Sequence, residues 1–179
     1  EIGQAFWEET YNNAVAGGET RGLFEYEMGR NFWFFGHLFE SAEVPTYHLA
    51  TAFATIYGYQ AGVAAGSTEQ PGNELVDWVQ TYRDGFARYL AAPDWSLIRD
   101  GGITGERIHG GLWLYLARQY GEDWHGRFFR HAWQLEAARS MDDAISNYIV
   151  AASAAARTNL YAFFTGSLDF PEVAGLQDK

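Results

Sequence analysis

Cysteine is absent from the chain. A disulfide framework, thiol catalysis and every cysteine-type metal site are thereby excluded, while the redox compartment is left undetermined. Proline is scarce, four residues against 20 glycines, and aromatic residues make up 17% of the chain, a balance that fits tightly packed helices with aromatic-lined crevices. Basic residues are few as well: 12 Lys and Arg stand against 23 Asp and Glu, for a net charge of −11. Recognition of phosphate polymers draws on Lys and Arg clusters that this chain lacks, so nucleic acid and anionic membrane surfaces are excluded as partners. No apolar run approaches the roughly 20 residues a membrane-spanning helix needs, and no membrane insertion is expected. Strand patterns, internal repeats and low-complexity runs are missing too. The first residue is Glu1 in place of Met, the expectation for a processed or excised segment.

What is present reads as helix almost throughout. The 179 residues suffice for one domain with a substantial core, and the expectation is an all-α fold of about seven to eight helices around a buried central helix at about 20–40. Residues 1–170 form a single helical domain in this reading, with 171–179 a frayed tail. Residues 4–16 give a first helix ending at Gly17 and Gly18. In the second, Phe24, Met28, Phe32, Phe35 and Phe39 fall on one stripe. Leu23, Glu27, Arg30, Phe34 and Leu38 lie beside it, and Tyr26, Arg30, Trp33 and His37 make a third row. A helix apolar nearly all round is a buried one. A third helix spans about Pro45 to Ala65. After the loop GSTEQPGN, residues 74–91 carry Leu75, Trp78, Val79, Tyr82, Phe86 and Tyr89 at helical spacing. DGGITGERIHGG, from Asp100 to Gly111, reads as a long glycine-rich loop of the kind that often carries function. Helices follow at 112–120, at 123 to about 138 and at 140–158. The last starts on Ser140 and Asp143 as a capping box and packs along Ile145, Ile149, Ala152 and Ala156. A short aromatic helix, NLYAFF, comes after it.

One hexapeptide carries a chemical pattern. Tyr26 to Asn31 read YEMGRN, the zinc-peptidase helix motif HExxH with its glutamate kept, as Glu27, and both histidines replaced, by Tyr26 and Arg30. In an intact motif two His one turn apart ligate a zinc, and the Glu between them polarises the metal-bound water. Arginine is donor-only and always cationic, and a neutral phenol is a poor ligand, so the ordinary zinc site cannot form. In its wider context, FEYEMGRNFW resembles the FHExGHN-type active-site helix of gluzincin metallopeptidases. HGGLWLYLARQYGEDWHGRFFR resembles the helix pair that follows the active site in secreted bacterial members, including mucin-degrading and enhancin-like peptidases. DAISNYIVAASAAARTNLYAFFTG is similar to their closing pattern. The resemblance covers about residues 20–166 and implies a zincin-like helical subdomain, Glu27 in the general-base position, and an extracellular or cell-envelope location. A gluzincin's third ligand is a glutamate on the following helix, yet PTYHLATAFATIYGYQAGVAAG holds no carboxylate. A metzincin would need a histidine where Gly36 stands, and His37 is one residue out of register. The resemblance therefore implies a zincin-like scaffold with no zinc and no other cofactor.

Other readings of the same residues stand beside this one. Glu27 is spaced to pair with Arg30 at i, i+3. If Tyr26, Glu27 and Arg30 line a cavity, they offer a phenol, a carboxylate and a guanidinium to a carboxylate or a sugar hydroxyl, with Trp33 and His37 alongside. His125 and His131 are six apart, off the spacing that places two imidazoles on one metal, and read as surface or packing residues. His37 closes the second helix and His48 opens the third, a placement that would let the two approach across the Ser41 to Pro45 turn. His109, beside Glu106 and Arg107 in the glycine-rich segment, is the best-placed alternative site, against a plain role at a helix start. Asp77, Asp84, Asp94, Asp100, Asp142 and Asp143 include no pair that sequence fixes at the separation glycoside hydrolysis requires, and read as a solvated acidic surface. No GxSxG elbow or DxDxDG calcium loop occurs. The seven tryptophans read mostly as core by spacing.

Three function classes follow. The first is a non-catalytic, zincin-like binding or structural domain with a peptide, glycan or protein partner, part of a larger secreted or cell-envelope protein. The second is a hydrolase using Glu27 with a non-standard metal or none. The third is a helical interaction module in which the motif match is coincidental.

Overall fold

The computed structural model describes residues 3–16, 23–40, 47–65, 74–99 and 101–177. Among them are nine α-helices, one π-helical turn and no strand: α1 (Gln4–Val15), α2 (Leu23–Asn31), α3 (Gly36–Phe39), α4 (Tyr47–Ala65), α5 (Glu74–Ala91), α6 (Trp95–Arg99), α7 (Gly102–Tyr120), α8 (Trp124–Ala132), α9 (Met141–Ala156) and the π-helical turn at Phe163–Ser167. The all-α class is as the sequence implies. The additions to the seven or eight expected helices are short, α3 and α6. The GSTEQPGN loop lies outside the described residues, as do Pro45 and Thr46. The chain divides into two compact units: unit 1 comprises Glu1–Trp33 and Phe53–Thr81, and unit 2 comprises Phe34–Ala52 and Tyr82–Lys179.

In unit 1, α2 is shorter and less buried than the continuous central helix expected at about 20–40. It stops at Asn31, whose side-chain amide donates to the Glu27 carbonyl at 2.9 Å. Tight i→i−3 bonds from Phe32 to Gly29 and from Trp33 to Arg30 then end the ladder. The next residues, FWFF, are poor helix formers because a helix restricts aromatic χ1. Of these, Phe32 and Phe34 are exposed, Trp33 is half-buried and Phe35 is buried. Trp33 rests on Phe53 at 5.3 Å, and Phe53 stacks on Tyr57 at 4.2 Å. The helix that does carry buried residues on every side is α4, in which Ala52, Phe53, Ala54, Thr55 and Ile56 are all buried. At Gly29 the backbone of α2 comes against α4, where a Cβ would stand 2.9 Å from the Ala54 backbone.

Unit 2 is built on α7, α8 and α9. The segment expected to be a glycine-rich loop is helix from Gly102 onward. Its glycines are contact surface, not hinges. Gly110 faces the Tyr82 ring, Gly111 faces the Tyr82 carbonyl and Phe86, and across the same seam Gly85 of α5 faces the Arg107 Cβ. Of the glycines in this segment, only Gly101 and Gly102, at φ 70° and 65°, use glycine's left-handed freedom, where the chain turns into α7. Along α5, Val79, Tyr82, Phe86 and Tyr89 are buried at the spacing the sequence shows. Ser140 caps α9 by accepting from the Asp143 amide at 3.1 Å, and the Asp143 carboxylate accepts from the Arg139 amide at 2.9 Å. The box closes one residue early. Ala144, Ile145, Tyr148, Ile149, Ala151, Ala152 and Ala155 form the buried face of α9. Arg127 of α8 donates to the carbonyls of Tyr120 and Ala155 at 2.8 and 2.7 Å and pairs with Asp123, so one guanidinium serves the ends of α7 and α9. The Asn147 side-chain amide ties α9 to the carbonyls of Leu38 and Glu136, both at 2.9 Å. Near the chain's end Leu176 is buried.

Candidate functional site

The hexapeptide occupies most of α2. Tyr26 is 8% exposed and packs on Ala54, with Tyr59 alongside and Trp78 edge-on at 5.7 Å. Arg30, one turn on and exposed, sets its guanidinium over the Tyr26 ring, 5.9 Å from the centroid. Glu27 is half-buried, and no ion pair joins it to Arg30 among the described residues. The expected i, i+3 pair gives way because Arg30 neighbours two residues on the helix surface, Glu27 at i−3 and Tyr26 at i−4. The ring of Tyr26 is held still by Ala54 and Trp78 and offers an immobile face to a cation. Trp78, 37% exposed, is a residue of this site that helical spacing assigned to the core.

The chemistry-bearing residues divide between the units. Tyr26, Glu27, Arg30 and Trp33 belong to unit 1, whereas His37 and His109 belong to unit 2. His37 is exposed, and its carbonyl accepts from the Ala138 amide at 2.8 Å. The His48 side chain and Asp100 lie outside the described residues, so the His37–His48 pairing does too. His109, expected in a loop, is 3% exposed in the middle of α7, with its Nδ1 3.3 Å from the Tyr148 hydroxyl. Burial raises the Tyr148 pKa, so the phenol stays neutral. Glu106 is half-buried and takes the Tyr82 hydroxyl. Burial raises its pKa, and the Tyr82 hydrogen bond and the Arg107 charge oppose that rise. His125 is a packing residue, 4% exposed, and burial depresses its pKa to about 4 against a weaker contribution from the Trp113 backbone.

Among the described residues no three His, Asp or Glu side chains group so as to hold a metal, and no helix is long and apolar enough to cross a membrane. No family model, curated protein or solved structure matches the chain. Asp77, Asp84, Asp94, Asp142 and Asp143 are all exposed, as a solvated acidic surface requires. Of the tryptophans only Trp113 and Trp124 are fully buried, while Trp7, Trp78 and Trp133 are exposed. Tyr82, the partner of Glu106, carried no signal beyond its place on an apolar stripe, and Tyr148, the partner of His109, carried none.

Proposed function

We propose that the chain is a non-catalytic helical binding domain that keeps a zincin-like helix without its metal chemistry. The observation that carries this reading is the Arg30 guanidinium over the Tyr26 ring. The two positions that would ligate zinc are engaged with each other and with packing against Ala54 and Trp78, and α4 offers no carboxylate as a third ligand. Glu27 then has no metal-bound water to polarise. A binding role also suits the surface of unit 1, where Met28 within the motif and Phe32 just after it are 48% and 57% exposed. Exposed aromatic faces suit peptide and glycan partners alike.

Metal content and turnover test the reading together. Protein incubated with excess zinc and dialysed is expected to retain far less than one zinc per chain by elemental analysis, and to show no peptide hydrolysis that Glu27→Ala removes. Stoichiometric zinc that survives dialysis, with hydrolysis lost in the Glu27→Ala protein, would overturn it.

A further inference from the structure

A cleft of about 360 Å³ opens in unit 2 where α5, α6 and the start of α7 meet. Its polar groups come from two helices: Arg88 from α5, and Thr104 and Arg107 from the first turns of α7. Leu97 and Ile108 supply apolar wall, and Leu97 is 42% exposed. Gly85 lets the two helices close to contact at one end, where a Cβ would lie 2.9 Å from the Arg107 Cβ. Among the described residues no Asp or Glu lines this cleft, although the chain carries 23 acidic residues against 12 basic ones. Glu106, next to Arg107 in sequence, accepts the Tyr82 hydroxyl and feels the Arg107 charge, and Asp169 and Asp94 act on the lining residue Tyr89 from outside the cleft wall. Neither arginine enters an ion pair among the described residues. The first turn of α7 borders the cleft through Thr104. The backbone amides of a helix start favour negative charge.

We infer that this cleft binds a small phosphate monoester with an apolar or aromatic body, the phosphate held between Arg88 and Arg107 with the Thr104 hydroxyl as a further donor. Two guanidiniums on separate helices, each a donor fork with no acceptor, match a group that carries close to two negative charges at neutral pH and presents three oxygens. A monocarboxylate brings only one negative charge to the same two cations. The volume suits a single small molecule, and the −11 charge of the chain repels a polymer of phosphates while leaving a local cleft with no carboxylate in its lining open to one. The cleft lies in unit 2 and owes nothing to the hexapeptide of unit 1.

Calorimetric titration of the full chain with phenyl phosphate at low ionic strength tests the assignment. Saturable binding is expected, weakened about tenfold or more by Arg88→Gln and by Arg107→Gln, and unchanged by Arg118→Gln, a control on α7 that lines a different surface groove. Arg88 is exposed, so its substitution leaves folding intact, as circular dichroism will verify. Absence of binding at millimolar phenyl phosphate would overturn the site, and so would binding indifferent to both cleft substitutions. Benzoate binding as tightly as phenyl phosphate would overturn the phosphate assignment, and inorganic phosphate binding equally well would overturn the apolar body.

Discussion

A methyl group at position 111 would run into the Tyr82 carbonyl and the Phe86 Cβ, because α5 and α7 meet there with no side chain between them. Backbone cannot swing aside as a flexible side chain can, so Gly111→Ala is expected to destabilise by about 3 kcal/mol, the upper part of the overpacking range. Gly126, on α8, has nothing within 4 Å of its absent Cβ. Gly126→Ala should therefore stabilise by about 0.5–1 kcal/mol through the lower entropy of alanine in the unfolded chain. Urea unfolding of the two variants side by side separates a packing role from a hinge role for the α7 glycines: equal, small effects would mean that α7 does not need its glycine seam. Beneath that seam, Tyr82→Phe removes the hydroxyl that Glu106 accepts. A half-buried carboxylate deprived of a donor costs about 1–2 kcal/mol, and the Glu106 pKa should rise further, since that hydrogen bond now opposes burial. A carbon-13 NMR titration of the carboxyl reads the direction; a fall would contradict it.

The elements show where sequence suffices and where it does not. Along α5 and α9 the buried positions recur at helical spacing, and solvent on one side keeps the pattern visible. Ser140 and Asp143 announce the start of α9 because a cap is a local arrangement. Ser140→Ala should cost about 1 kcal/mol, read as a lower urea midpoint, and a variant as stable as the parent would show that the Asp143 carboxylate alone holds that end. The start of α7 was not legible for the opposite reason. Each glycine weighs against helix by about 1 kcal/mol, and what repays that cost is a partner helix 20 or more residues earlier in the chain. The break after Asn31 was hidden similarly. A stripe of aromatics fits a helix as readily as an irregular connection, and the observed burial, with Phe32 and Phe34 out and Phe35 in, follows from packing that no local pattern encodes. For the candidate site, YEMGRN identified Tyr26 and Arg30 as the residues to examine, but choosing between Glu27 and Tyr26 as the partner of Arg30 required the burial of the Tyr26 ring by Trp78.

For the molecule as a whole, titration joins these details to stability, and the groups act in separable pH windows. Asp94, Asp123 and Asp143 sit below the usual carboxylate value, held there by hydrogen bonds from Ser96, Arg127 and the Arg139 backbone respectively. A depressed acid contributes stability that is complete above its unfolded value, near 3.8, and is lost only as pH falls below it. Glu106 acts the other way: with its folded pKa raised above 4.5, the native state holds its proton more tightly, and stability is gained as pH falls through the folded value. His125 is decisive between these. Its pKa drops from 6.5 unfolded to about 4 in the native state, so over that interval the unfolded chain binds a proton that the native chain refuses. Its contribution is intact above 6.5, shrinks as pH falls, and is gone once pH passes about 4, a loss on the order of 3 kcal/mol. Urea midpoints at pH 7, 6, 5 and 4 should fall steadily for the parent chain. In the His125→Gln protein, which cannot take that proton, the decline between pH 6.5 and 4 should flatten. Parallel declines in the two proteins would place the acid sensitivity elsewhere and mean that the His125 ring is open enough to accept its proton in the folded state.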